Sequence, residues 1–305
     1  MILCGSSLCP PGDRGVDPLV RLASEAGFDG IGIGRACLLP QASQLLAAAL
    51  RAGLAPGVMA APLGEAALAR GKRLPRLGAE DPDERAAAIA LGRHCLELAG
   101  GVGMAVVALD FGPVALGAPL AAAVRLFARR ELTSGDDDED VDDGPLGPAL
   151  RERRRRGGAL VDACRWSLEG LLPHAERRGI TLAVELGPTP WTVPSPREAL
   201  ELLALFGGGA IGLAFDPAKL MTMRALGLPV SDGRVAALRA AAALVVENDA
   251  VGADVGYLPG LGERDADLTK REELPAKTPV VVVGPADTTG DEAAAAAALA
   301  RARYE

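Results

Sequence analysis

Short apolar runs alternate with longer stretches whose apolar residues recur every three or four positions, along almost the whole chain. Eight runs read as strands: Ile2–Ser6, Asp29–Gly34, Ala55–Ala60, Gly103–Asp110, Ile180–Leu186, Ala210–Asp216, Leu244–Asp249 and Pro279–Gly284. Helical patterns lie between and after them, over Val16–Ala26, Gln41–Ala52, Pro82–Ala99, Pro119–Arg130, Pro148–Arg178, Pro196–Leu205, Asp232–Ala242 and Asp291–Arg303. A strand followed by an amphipathic helix, many times over, predicts parallel strands joined by crossover helices. Repeated across residues 1–305, the pattern predicts an α/β fold of one domain, a single (β/α)8 TIM barrel. The competing open, doubly wound sheet would carry a Gly-rich turn after its first strand. That turn reads Gly5-Ser6-Ser7-Leu8-Cys9, which lacks the required glycine spacing.

Boundary residues agree with this division. Gly27 follows the first helix, and Arg177-Arg178-Gly179 closes the helix before the fifth strand. Cationic side chains in a last turn suit the helix dipole, and glycine permits a left-handed cap. Asp291 stands where an N-cap belongs, before a run of alanines. The largest departure from the repeat is residues 131–158, expected to form a flexible charged insertion. It holds the acidic run Asp136–Asp143 and then a basic run from Arg151 to Arg156. Such like-charge blocks are usually solvated.

Composition narrows the partners. A formal charge of −8 disfavours a nucleic-acid partner, and no apolar stretch is long enough to span a bilayer. No basic, apolar leader opens the sequence, so a cytoplasmic location is expected. Five cysteines, an odd number widely scattered, suggest reduced thiols. Only two histidines occur, His94 and His174, so chemistry that needs several imidazoles is excluded by counting.

In a barrel the chemistry gathers where strands end and the following loops begin. Glu185 and Asp216, at the ends of the fifth and sixth strands, are candidate catalytic carboxylates. The alternative is a structural pair bonded to backbone N–H groups or to Arg35, itself a candidate ligand-binding cation. Lys219 is one of four lysines in a chain that otherwise uses arginine, which suggests a cation placed beside the two acids. A rim lysine facing water is the plainer reading. Asn248 and Asp249 are candidate binding groups for a polar ligand, or caps of the next loop. Trp191 is a candidate apolar cover of the mouth, or a packing residue. Asp110 and Glu247 lie close enough to be considered with them.

Several segments resemble the xylose isomerase-like superfamily of TIM barrels. They are Ala26-Gly27-Phe28-Asp29-Gly30-Ile31, Leu182-Ala183-Val184-Glu185, Ile211–Asp216, and Asn248-Asp249 followed by Leu258-Pro259-Gly260-Leu261-Gly262-Glu263-Arg264-Asp265. The resemblance implies a sugar or sugar-phosphate isomerase or epimerase. It also implies a divalent metal held by two Glu, one Asp and one His. Glu185 and Asp216 match two of those ligands, but the other two positions are Val246 and Gly284, and the family glutamate on strand two falls at Gly32. The expectation is therefore a degenerate metal site: vestigial Glu185 and Asp216, no tightly bound cofactor, and room only for weak Mg or Mn. Two function classes stay open. One is an isomerase or epimerase with a remodelled site, acting on a small polar, sugar-like metabolite. The other is a non-catalytic binding or partner module on the same barrel. The resemblance also makes a homodimer the natural assembly to test.

Overall fold

A computed structural model describes residues 1–8, 15–35, 37–63, 74–114, 147–187, 192–225, 230–251, 254–262 and 271–304 of the chain. Seven barrel strands come first: β1 (Ile2–Gly5), β2 (Gly30–Ile33), β3 (Ala55–Ala61), β4 (Val106–Leu109), β5 (Thr181–Glu185), β6 (Ile211–Phe215) and β7 (Ala242–Glu247). A hairpin, β8 (Asp249–Val251) and β9 (Asp254–Tyr257), precedes the last barrel strand, β10 (Val280–Val282). Parallel pairing closes the ring in the order β1-β10-β7-β6-β5-β4-β3-β2. The expected single (β/α)8 barrel is the observed fold, and each predicted strand overlaps an observed one.

Helices α1 (Asp17–Glu25), α2 (Leu39–Arg51) and α3 (Pro82–Gly101) cover the first strands. They are followed by α4 (Gly147–Arg155), α5 (Gly157–Glu176), α6 (Pro196–Leu205), α7 (Pro217–Ala225), α8 (Asp232–Ala240) and α9 (Gly290–Tyr304). The glycine stops behave as expected, with Gly27 at φ 75° and Gly179 at φ 65°. Four details differ from the sequence reading. The helix predicted over 148–178 is broken at Arg156 into α4 and α5. The cap of α9 is Thr289, whose hydroxyl accepts the Glu292 N–H while the Glu292 carboxylate accepts the Thr289 N–H. Helix α7 and the β8–β9 hairpin were not anticipated: α7 is short and starts at Pro217, directly after β6. The basic run is not wholly solvated, because Arg153 is buried in an ion pair with Glu198 of α6. The predicted helix at 119–130 and the acidic run Asp136–Asp143 lie outside the described residues.

The barrel interior is filled by small and branched side chains. Leu3, Val58, Val106, Ala108, Leu244 and Val281 belong to one inner cluster. A Cβ on Gly57 would lie 2.2 Å from Leu3 Cδ1, and one on Gly32 would lie 2.6 Å from Val281 Cγ2. Glycine on one strand thus makes room for a branched side chain on another, which keeps the layer dense. A larger shell of Leu, Ala, Ile and Val packs between strands and helices. Cys4, Cys37, Cys95 and Cys164 are all buried free thiols there, and burial pushes Cys37 and Cys95 up to about 11.

Strand β7 is fastened to the last helix by Glu247. This fully buried carboxylate accepts hydrogen bonds of 2.6 Å from Arg303 Nη1 and 2.6 Å from the Tyr304 hydroxyl. Hydrogen bonds to a charged group contribute about 1.5–3 kcal/mol. Tyr304→Phe should therefore lower unfolding free energy by about 2 kcal/mol in a urea titration. A loss below about 0.5 kcal/mol would mean that Arg303 alone satisfies Glu247.

Candidate functional site

Each barrel strand points its carboxyl end to the same rim, so residues just past strands β2, β4, β5 and β6 become neighbours. Glu185 is the last residue of β5, level with Ala214 of β6. Asp216 follows β6 and opens α7, where its Oδ1 accepts the Lys219 N–H at 3.1 Å. One turn into that helix, the Lys219 side chain turns back toward the rim. Its Nζ lies 3.3 Å from Glu185 Oε2 and 3.7 Å from Asp216 Oδ2. Across the rim, Arg35 forms an ion pair with Asp110, whose other oxygen accepts the Gly112 N–H at 2.6 Å.

The predicted pair and the lone lysine are therefore one cluster. Asp216 is almost wholly buried, while Glu185 and Lys219 keep 17% and 16% of their side chains exposed, enough for a ligand to reach them. Burial works against the Lys219 charge, but Glu185 and Asp216 outweigh it and hold the ammonium above the ordinary lysine value of 10.5. At neutral pH Lys219 is thus a cation and a hydrogen-bond donor, not a nucleophilic amine. Arg35 faces the same field: burial draws its guanidinium below the usual value, and the attraction of Glu185 opposes that.

The β7 candidates separate. Glu247 points outward to α9, so alternation sets Val246 on the inner face and carries Asn248 to that face. Asn248 is buried, and its Oδ1 has no hydrogen-bond partner among the described residues. Asp249 turns to the loop instead. Its Oδ2 accepts the N–H groups of Gly260 and Gly262 at 2.8 and 3.2 Å, pinning the segment after the hairpin. That is the loop-capping alternative, set by a carboxylate that is fully buried. Trp191 lies outside the described residues. Asp110 is the residue the sequence reading undervalued; its signal was a carboxylate directly after a strand and two residues before a glycine. His94 and His174 sit on α3 and α5, away from the strand ends, as expected.

Among the described residues, the groups around Glu185 and Asp216 do not make up a divalent metal site. A third and fourth donor would be needed beside Glu185 and Asp216, and Val246 supplies none. At Gly284 a Cβ would lie 2.7 Å from Leu258 Cδ2 and 2.9 Å from Leu8 Cδ2, so a longer side chain enters only if those leucines shift. The Lys219 ammonium already offsets one of the two acid charges. At 4 Å and an effective dielectric of about 20, it would repel a dication by about 8 kcal/mol. Among the described residues no three His, Cys, Asp or Glu side chains gather as ligands.

Comparison with known proteins agrees with this architecture. A sequence model described as xylose isomerase-like TIM barrel matches residues 20–256. A search of curated proteins finds no match to this chain. Among solved structures, D-allulose 3-epimerase from Methylomonas sp. superposes with a TM-score of 0.65 at 14% identity, covering 99% of this chain and 96% of its own. The 3-keto-D-glucoside 4-epimerase YcjR from E. coli gives 0.64 at 15% identity, covering 99% and 98%. The IOLI protein, solved with a zinc atom, gives 0.62 at 14% identity, covering 98% and 96%. These likenesses extend over essentially the whole barrel, at identities that speak for the fold alone.

Proposed function

This chain belongs to the xylose isomerase-like TIM barrel family, and from that premise we propose that its mouth binds a small sugar-like carbonyl compound and isomerises it without a metal. The observation that carries this reading is the Lys219 ammonium within 3.3 Å of Glu185 and 3.7 Å of Asp216. A fixed cation in a partly dehydrated site can stabilise an oxygen on which negative charge develops. Glu185 is the base: it takes a proton from the carbon beside the carbonyl. The resulting enediolate oxygen is then held by Lys219. Glu185 returns the proton to the neighbouring carbon, the former carbonyl carbon, while the remaining hydroxyl proton moves to the old carbonyl oxygen. Asp216 holds Lys219 in place through its carboxylate and the Lys219 N–H.

One base favours isomerisation over inversion. Epimerisation at one carbon by proton transfer needs a second acid on the opposite face of the substrate. That side of the mouth is lined by Val246 and Gly284. The same deficit favours the second reading, a binding module without turnover. Asn248 is assigned to a ligand hydroxyl in both readings, and Arg35 to a ligand oxygen.

Solvent exchange separates the two readings. In D2O, NMR of D-fructose, D-tagatose and D-glucose should show deuterium entering at carbons next to the carbonyl. Glu185→Gln should reduce that rate at least about a hundredfold, the usual scale of a lost general base. Chelator should leave it unchanged. Thermal stabilisation by sugars with no exchange would leave the binding module; exchange that survives Glu185→Gln would remove Glu185 as the base.

A further inference from the structure

Among the described residues the rim is charged on one arc and, apart from the buried Asn248, apolar on another. Arg35, Asp110, Glu185, Asp216 and Lys219 follow β2, β4, β5 and β6. On the adjoining arc, β7 and β10 present Val246 and Val283, which pack on the inner cluster yet stay partly exposed. Gly284 continues this wall as bare backbone, backed by Leu258 and Leu8, both buried. Its N–H is bonded to the Ser7 hydroxyl at 3.3 Å, so that donor is already taken.

An apolar wall beside a charged cluster sorts ligands. A hydroxyl pressed against Val246 and Val283, out of reach of Asn248, would leave water without gaining a partner, which costs free energy. A hydrocarbon group there would gain instead. We propose that the β7–β10 sector seats an apolar substituent of the ligand. The preferred ligand is then a sugar-like compound carrying an alkyl or other apolar group, not a fully hydroxylated free sugar. This inference rests on the proposed sugar-like site and names its substrate class more closely.

The test is calorimetric titration of the whole protein with D-fructose, D-glucose, and methyl, propyl and hexyl β-D-glucosides. Each seated methylene should tighten binding up to about fourfold, so hexyl should exceed methyl by at least about twentyfold. Val246→Thr and Val283→Thr keep side-chain shape and should each flatten that dependence, narrowing the gap between the alkyl glucosides and D-glucose. Having both variants keeps the test decisive if one misfolds. Free sugars binding as well as the alkyl glucosides would overturn the apolar subsite but leave the sugar site standing. A chain-length gain that both variants retain would overturn its placement on β7 and β10. No binding by any member of the series would overturn both readings together.

Discussion

Lys219→Met is expected to destabilise the protein by about 3 kcal/mol at neutral pH and to abolish any turnover. The magnitude follows from what remains: two carboxylates, one almost wholly buried, without the cation 3.3 and 3.7 Å away. Breaking such a buried pair typically costs about 3–5 kcal/mol, and the partial exposure of Glu185 argues for the lower end. The pH dependence has a definite sign. In the wild type Lys219 holds its proton more tightly folded than unfolded. Its contribution is therefore complete below the ordinary value of 10.5 and is lost as pH rises through the raised folded value. The variant lacks that alkaline step. Urea titrations from pH 4 to 11 read both effects. A variant within about 0.5 kcal/mol of wild type across that range would mean the cluster is solvated and the lysine dispensable.

Restoring a glutamate at residue 284 should fail, and by a wide margin. Gly284→Glu must place a Cβ 2.7 Å from Leu258 Cδ2 and then bury a carboxylate among leucines. Overpacking costs about 1–3 kcal/mol and an unpaired buried charge adds more, so a loss beyond about 4 kcal/mol or failure to fold is expected. Gly284→Ala should lose only about 1–2 kcal/mol, because the crowding atoms are leucine methyl groups that can shift. Calorimetry with Mn and Zn should find no site tighter than about 10 μM in the wild type or in Val246→His. A stable Gly284→Glu protein that binds Mn tightly would show that the wall yields and that a metal site needs only its missing donor.

Much of this protein was legible before any coordinates. Strand and helix alternation depends on hydrophobic period, a local property, and it located every strand of the barrel. The strand-end rule then brought Glu185, Asp216 and Lys219 under suspicion, since a barrel sends all its strand ends to one rim. The histidine count told equally clearly that several imidazoles could not act there. Missing from that reading were α7, which starts one residue after β6 with no loop to mark it, and the β8–β9 hairpin, whose strands are too short for a period to show.

Orientation was decided only by the fold. Glu247, Asn248 and Asp249 are consecutive and all polar, yet one anchors Tyr304 and Arg303, one keeps a buried oxygen with no hydrogen-bond partner among the described residues, and one pins Gly260 and Gly262. No local signal separates them, because the partners lie from 11 to 57 residues away in the chain. The same holds for Gly284. As a sequence position it reads as a lost ligand, whereas packing shows a place where Leu8 and Leu258 would have to move to admit one. Local periodicity determines which elements form, since each residue's burial follows from its own strand or helix. Which polar side chains meet, and which space is already filled, depends on contacts between distant segments, and those exist only once the barrel has closed.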